Sequence, residues 1–205
     1  MTVMLIRATA EWQGLRRVGR TVALAARAMA NRLRPGVTAR LDAAGDRAAP
    51  RRFRPATAAD QRVIASLCKS SIAATYGPFM NPDLMRPWVE GQEVEDYVAG
   101  MWPRMTVAVR ADTVLGVVAV EGQVIDLLWV RADLQRQGIG SALMDRAESI
   151  VAACHPTAEL ECFAPNQAGI TFYQSRGYTA VRTYFETASG VDRVVMTKPL
   201  GGQAP

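Results

Sequence analysis

Residues 125–144 read IDLLWVRADLQRQGIGSALM, and this stretch decides how the rest of the chain is understood. Val124 to Val130 is a β-branched and aromatic run of strand type and length. From Ile139 onward, Ile139, Ala142, Leu143, Ala147, Ile150 and Val151 fall on one face of a helix of about four turns. Between them lies Gln135-Arg136-Gln137-Gly138-Ile139-Gly140-Ser141. A strand, a glycine turn and a helix start together make an anion site. The first helical turn has N–H groups without intrahelical partners and carries the positive end of the macrodipole. Gly138 and Gly140 leave no side chain between that backbone and a phosphate, and Arg136 adds charge. The stretch reads as a pyrophosphate cradle.

The local residues exclude some phosphate ligands. No G-x-x-x-x-G-K-[ST] occurs, so this is not a P-loop. A dinucleotide fingerprint needs a third Gly or Ala where Leu143 stands, although Glu161 supplies an acid 21 residues after Gly140. A nucleotide-binding oxidoreductase is therefore the weaker reading. The plainest alternative is that the glycines serve close packing of strand and helix.

The stretch resembles the cofactor motif of the GNAT superfamily of acetyl-CoA-dependent N-acetyltransferases, [QR]-x-x-G-x-[GA], matched by Gln135, Gly138 and Gly140. A second stretch, Leu160 to Tyr178 (LECFAPNQAGITFYQSRGY), matches the family's strand, its Asn-x-x-A-x-x-x-Y helix and its following Gly-aromatic pair. Asn166, Tyr173, Gly177 and Tyr178 carry that match, with Ala168 or Gly169 as the small residue. The resemblance runs from about Phe53 to Leu200. It implies an α/β (α+β) fold with a mixed, mostly antiparallel sheet of about seven strands, a central parallel pair and helices on both faces. It also implies acetyl-CoA as co-substrate, an amine acceptor and no metal.

In the family the pantetheine arm runs between the splayed ends of the two parallel strands. Backbone groups of Leu128, Trp129 and Val130 would hold the arm and polarise the thioester carbonyl, and Arg136, Gln137, Gly138, Ile139, Gly140 and Ser141 would hold the pyrophosphate. Tyr173 stands at the general-acid position. A phenol of pKa near 10 suits a departing thiolate. Glu161 stands where some ribosomal-protein alanine acetyltransferases of the superfamily place a base acting through water; Asp126 is the reserve. Asn166 is expected to contact the cofactor or cap the short helix. Tyr76, Phe79 and Trp88 are candidates for the acceptor pocket, and His155 reads as a surface or capping residue.

Charge is distributed unevenly along the 205 residues. Residues 1–55 carry twelve arginines against Glu11, Asp42 and Asp46, while the remainder is slightly acidic, with twelve basic residues against sixteen acids. The +5 net charge therefore belongs to an Arg/Ala-rich extension, residues 1–50, ahead of a domain over 51–200 and a short tail, 201–205. Within the extension, Glu11 to Leu33 has a helical stripe ended by Pro35-Gly36. The plain expectation is an extension without a packed role; contact with nucleic acid or a membrane is the minor one. A transit peptide is disfavoured because no serine precedes Ser66. Cys68, Cys154 and Cys162 have no C-x-x-C spacing and, with the single His155, make no zinc set. Scattered thiols imply a reducing, cytoplasmic setting. A homodimer is compatible with all of this. So is a different class of protein, a non-catalytic acyl-CoA-binding module recruited by its basic tail.

In chain order, a first helix follows Thr57 and Asp60, and Ala74 to Pro87 reads as loop from its Pro, Gly and aromatic content. A second helix covers Glu93 to Trp102. Strands follow at Thr106–Arg110 and Val114–Val120, then Val124–Val130. A crossover helix, Gly138 to about Cys154, leads to a parallel strand at Ala158–Cys162. A short helix, Gln167–Ser175, precedes strands at Tyr178–Thr187 and Val191–Lys198.

Overall fold

The structure is a computed structural model that describes Val3–Met4 and residues 51–201, with side chains considered over the latter range. The helix expected over Glu11 to Leu33 therefore lies outside the described residues, as does most of the C-terminal tail.

The described elements are β1 (Val3–Met4), β2 (Arg51–Pro55), α1 (Gln61–Tyr76), α2 (Pro82–Val89), α3 (Glu93–Met101), β3 (Met105–Arg110), β4 (Thr113–Glu121), β5 (Val124–Val130), α4 (Ile139–Ala152), β6 (Thr157–Phe163), α5 (Gln167–Ser175), β7 (Thr179–Glu186) and β8 (Val191–Pro199). The sheet runs β2-β3-β4-β5-β6-β8-β7, and β1 pairs with β5 off that path. Among the described strands, β5 and β6 are the one parallel pair, as expected of a mixed sheet with a central parallel couple. The added strand β1 was not foreseen.

Local chemistry accounts for most of these boundaries. The β4–β5 hairpin turns at Gly122, whose φ of +58° suits glycine. Gly116 is required by packing. A Cβ there would lie 2.7 Å from the Trp129 carbonyl oxygen and 3.1 Å from Leu143 Cδ1, so its absence lets α4 sit down on β4 and β5. Ile139, Leu143, Ala147 and Val151, a ridge four residues apart, face the sheet and are buried with Met144. Ile150 was expected on that face and is instead 50% exposed, because it stands beside the ridge.

The loop expected over Ala74 to Pro87 needs correction. Helix α1 continues to Tyr76, and α2 begins at Pro82. Asn81 caps α2 by accepting a hydrogen bond from Asp83 N–H at 2.9 Å. Pro82 takes the first helical position, where a missing N–H costs nothing. Arg86 then pairs with Asp83 at 2.6 Å. Proline here starts a helix.

The junction of β2 and α1 is held by Asp60. Its carboxylate accepts from Arg54 at 2.7 and 2.9 Å and from both the backbone N–H and the hydroxyl of Thr57 at 2.7 Å. Those bonds, Arg54's first, hold the carboxyl well below the usual carboxylate range. A depressed folded-state value stabilises the fold above the unfolded pKa of about 3.9, and the benefit is lost as pH falls below it. Asp60→Asn should therefore lower the thermal midpoint at pH 7, with a smaller difference from the parent chain at pH 3. Equal differences at both pH values would refute the assignment.

Candidate active site

Strands β5 and β6 share a single register position, Val124 with Glu159, reinforced by a 2.9 Å bond from Glu159 N–H to the Gln123 carbonyl. Past that point they part. The β4–β5 ladder also shifts register here: Ala119 opposes Leu127 and Val120 opposes Ile125, so Asp126 is bulged out of the pairing. Its carboxylate accepts from Tyr97 Oη at 2.5 Å in a buried contact with α3. Burial first, then Asp126, pushes the Tyr97 phenol well above its ordinary value. The reserve base is thus engaged by a neutral phenol.

Beyond β5 lies the expected cradle. Arg136 and Gly138 both have left-handed backbone, at φ +63° and +77°. Such residues among extended and helical neighbours turn successive N–H groups toward one point, an anion-binding nest. The first helical bond of α4 runs from Ala142 N–H to the Gly138 carbonyl at 3.0 Å, leaving the amides of Ile139, Gly140 and Ser141 ahead of it. Ile139 buries its side chain, while Arg136, Gln137 and Gly138 are exposed. Arg51 of β2 pins the loop by donating to the Gln137 carbonyl at 2.7 Å. A Cβ on Gly138 would meet nothing, so its glycine is demanded by φ rather than by space.

At the other end of the gap, alternation along β6 separates the expected site residues. Leu160 and Cys162 point to the α4 side and share a core with Leu128, Val130, Tyr173 and Tyr178. Glu161 and Phe163 point to the α1 side. There Tyr76 lies edge-on to Phe163 at 4.9 Å between centroids and tilted against Trp129 at 5.7 Å, with Phe79 beside them. Two of the three pocket candidates thus form one aromatic wall; Trp88 is half-buried on α2.

Tyr173 is fully buried, and its hydroxyl has no hydrogen-bond partner among the described residues. Burial, with lesser contributions from Cys162, Tyr76 and Tyr178, raises its pKa well above 10. The phenol is thus a weaker acid than its sequence position suggested, and it stays protonated. Asn166 takes the capping role, accepting from Gly169 N–H at 3.1 Å.

Around Glu161 lies a cluster that sequence reasoning missed. Glu161 accepts from Tyr184 Oη at 2.8 Å. Arg193, 1% exposed, lies 3.7 Å from Glu161 and 2.7 Å from Glu186, the latter close enough for an ion pair but not aligned as a hydrogen bond. Its guanidinium stacks 4.3 Å above Phe163. Burial and the Glu161 bond push the Tyr184 phenol up to about 12. Register explains the assembly, since Arg193 on β8 stands opposite both Phe163 on β6 and Tyr184 on β7. A groove of about 660 Å³ between α1 and α3 is unrelated, containing none of these residues.

A mixed sheet whose parallel couple parts beside a glycine nest, with a buried tyrosine at the gap, is the GNAT class of fold. The profile of the Acetyltransferase (GNAT) domain matches residues 84–200, and the chain belongs to that family. Over 87 residues it is 32% identical to the peptidyl-lysine N-acetyltransferase YiaC of Escherichia coli (strain K12), covering 42% of this chain and 57% of that protein. The GCN5-related N-acetyltransferase (aminotransferase, class II) structure from Rhodopseudomonas palustris superposes with a TM-score of 0.62 at 22% identity, over 72% of this chain and 94% of that one. The PaiA N-acetyltransferase of Thermoplasma acidophilum in complex with coenzyme A gives 0.60 at 18% identity, over 73% and 99%. These two likenesses speak for the fold.

Removing one partner from a buried ion cluster leaves an uncompensated charge, at a cost of about 3–5 kcal/mol. Arg193→Met should destabilise the protein by that order in urea unfolding, and Arg193→Met with Glu186→Gln should recover part of the loss. A single variant as stable as the parent would show that the guanidinium carries no weight there.

Proposed function

We propose that the protein moves an acetyl group from acetyl-CoA to a primary amine, on a small molecule or a protein, by direct transfer. The observation that carries this reading is the buried Tyr173 hydroxyl, a donor without an acceptor among the described residues, in the core that borders the gap between β5 and β6. The cradle fits the co-substrate as well, because its nest and helix start suit a diphosphate.

In this scheme the amides from Arg136 to Ser141 grip the diphosphate, and the backbone of Leu128, Trp129 and Val130 holds the arm. An N–H preorganised toward the developing oxyanion contributes a few kcal/mol of barrier lowering. The amine enters from the side of Tyr76, Phe79 and Glu161, and its proton leaves through water to Glu161. The amine nitrogen bonds to the carbonyl carbon as the carbon–sulfur bond breaks. Tyr173, on the opposite side of the sheet, donates a hydrogen bond to the departing sulfur and passes it a proton, which the phenol regains from water as the thiol leaves. Acid and base thus work from different faces. The buried carboxylates Glu161 and Glu186 outnumber the one guanidinium beside them, which suits an acceptor arriving as an ammonium ion. The likeness to a peptidyl-lysine acetyltransferase supports the same acceptor class.

The test is thiol release from acetyl-CoA across a panel of amines and peptides, using the full chain. Tyr173→Phe should reduce kcat by about 10²–10⁴. Because the hydroxyl is unpartnered, its removal should leave stability unchanged within about 1 kcal/mol or raise it. A Phe variant with full kcat would end the acid assignment. Tight acetyl-CoA binding without turnover on any acceptor would instead favour a non-catalytic acyl-CoA-binding module.

A further inference from the structure

Strand β1 pairs antiparallel with β5, Val3 opposite Leu128 and Met4 opposite Leu127. A strand has two hydrogen-bonding edges. At those same residues one edge of β5 is taken by β4, where Val118 opposes Leu128 and Ala119 opposes Leu127. Strand β1 must therefore lie on the other edge, the one that faces β6. Strand β6 does not close that edge. It meets β5 at Val124 with Glu159 and gives its own far edge to β8 along all seven of its residues, Thr157 to Phe163. By elimination β1 occupies the gap between the parted strands.

That position includes Leu128, the first residue of the backbone on which the proposed function seats the acyl-bearing arm. A strand seated in the gap opposite Leu127 and Leu128 takes the space and the edge that the arm of a thioester would need at Leu128. We propose that Val3–Met4 is an intramolecular plug that competes with acetyl-CoA for the β5 edge, so that co-substrate entry requires β1 to leave; the inference rests on the acetyl-CoA reading above. Two features suit the role. The segment is short, so little pairing has to be broken. It is also grouped with the folded domain that follows from Arg51. Covalent attachment keeps such a competitor at a fixed local concentration, whatever the protein concentration.

The experiment compares the full chain with a Val3→Pro/Met4→Pro chain and with a chain lacking residues 2–7. Proline removes the N–H donors that a strand needs. Acetyl-CoA affinity is read by calorimetric titration, and hydrogen exchange is followed across Leu127 and Leu128. When the binding-competent fraction is f, the apparent Kd is the intrinsic value divided by f, so a plug in place about nine-tenths of the time weakens binding about tenfold. Both altered chains should bind acetyl-CoA about tenfold more tightly, with kcat unchanged and faster exchange at whichever of Leu127 and Leu128 turns its N–H to β1. Equal or weaker binding than the parent in both would overturn the plug while leaving the co-substrate reading intact. If none of the three chains binds millimolar acetyl-CoA, the co-substrate reading falls first and the plug with it.

Discussion

Two parallel strands that hold together at one position and then separate are what the rest of this molecule is built to support. Strand β5 is anchored to β6 at Val124 and Glu159, and immediately afterwards the Asp126 bulge bends it away. Aromatic bulk keeps the ends apart. Tyr76, at the end of α1, sits against both Trp129 of β5 and Phe163 of β6, touching each ring, as a wedge would. The cost is an unpaired strand edge inside a folded domain, and buried backbone groups do not stay unpaired. Some occupant must take the edge, whether an extended ligand arm or, as in this structure, the chain's own β1.

The gap also separates the chemistry of the two faces. On the α4 side, Tyr173 is packed among apolar residues that suppress its ionisation, burial being the largest cause. On the α1 side, Glu161, Glu186 and Arg193 are buried beside Phe163, with Arg193 between the two carboxylates and Tyr184 donating to Glu161. The alternation of side chains along β6 produces this division without any special device. On the acetyl-transfer reading, the neutral donor faces the leaving negative charge and the carboxylates the arriving positive one. Neither could be exchanged for the other without losing its environment.

What could be read from the sequence follows the range of the interactions. The β5–turn–α4 unit was legible because its signals are local: a strand run, two glycines at set spacing and a repeat of apolar residues at helical period. Left-handed φ values at Arg136 and Gly138 are the structural counterpart of that turn. Helix α2 was missed because Pro, Gly and aromatic content outweighed Asn81-Pro82-Asp83, a helix start that a closer look at capping would have found. Arg193 was illegible for a different reason. It reads as an ordinary strand arginine, and only the register of three strands shows it between Phe163 and Tyr184. Strand β1 has no local signal, because the partner that makes it a strand stands more than a hundred residues later.

Stability alone does not account for the residues around the gap. The Tyr173 hydroxyl and the Trp129 indole N–H are both buried without acceptors among the described residues. A buried donor left unsatisfied costs about 1–3 kcal/mol, against a total of about 5–15 kcal/mol for a typical domain. Phenylalanine would fill most of the Tyr173 site and avoid that penalty. At the junction of β2 and α1, by contrast, Asp60 is matched by four hydrogen bonds. On the acetyl-transfer reading proposed above, the Tyr173 phenol is a donor kept for an acceptor from outside the chain. The leaving sulfur of a thioester is an acceptor of the right kind, present only when the reaction runs.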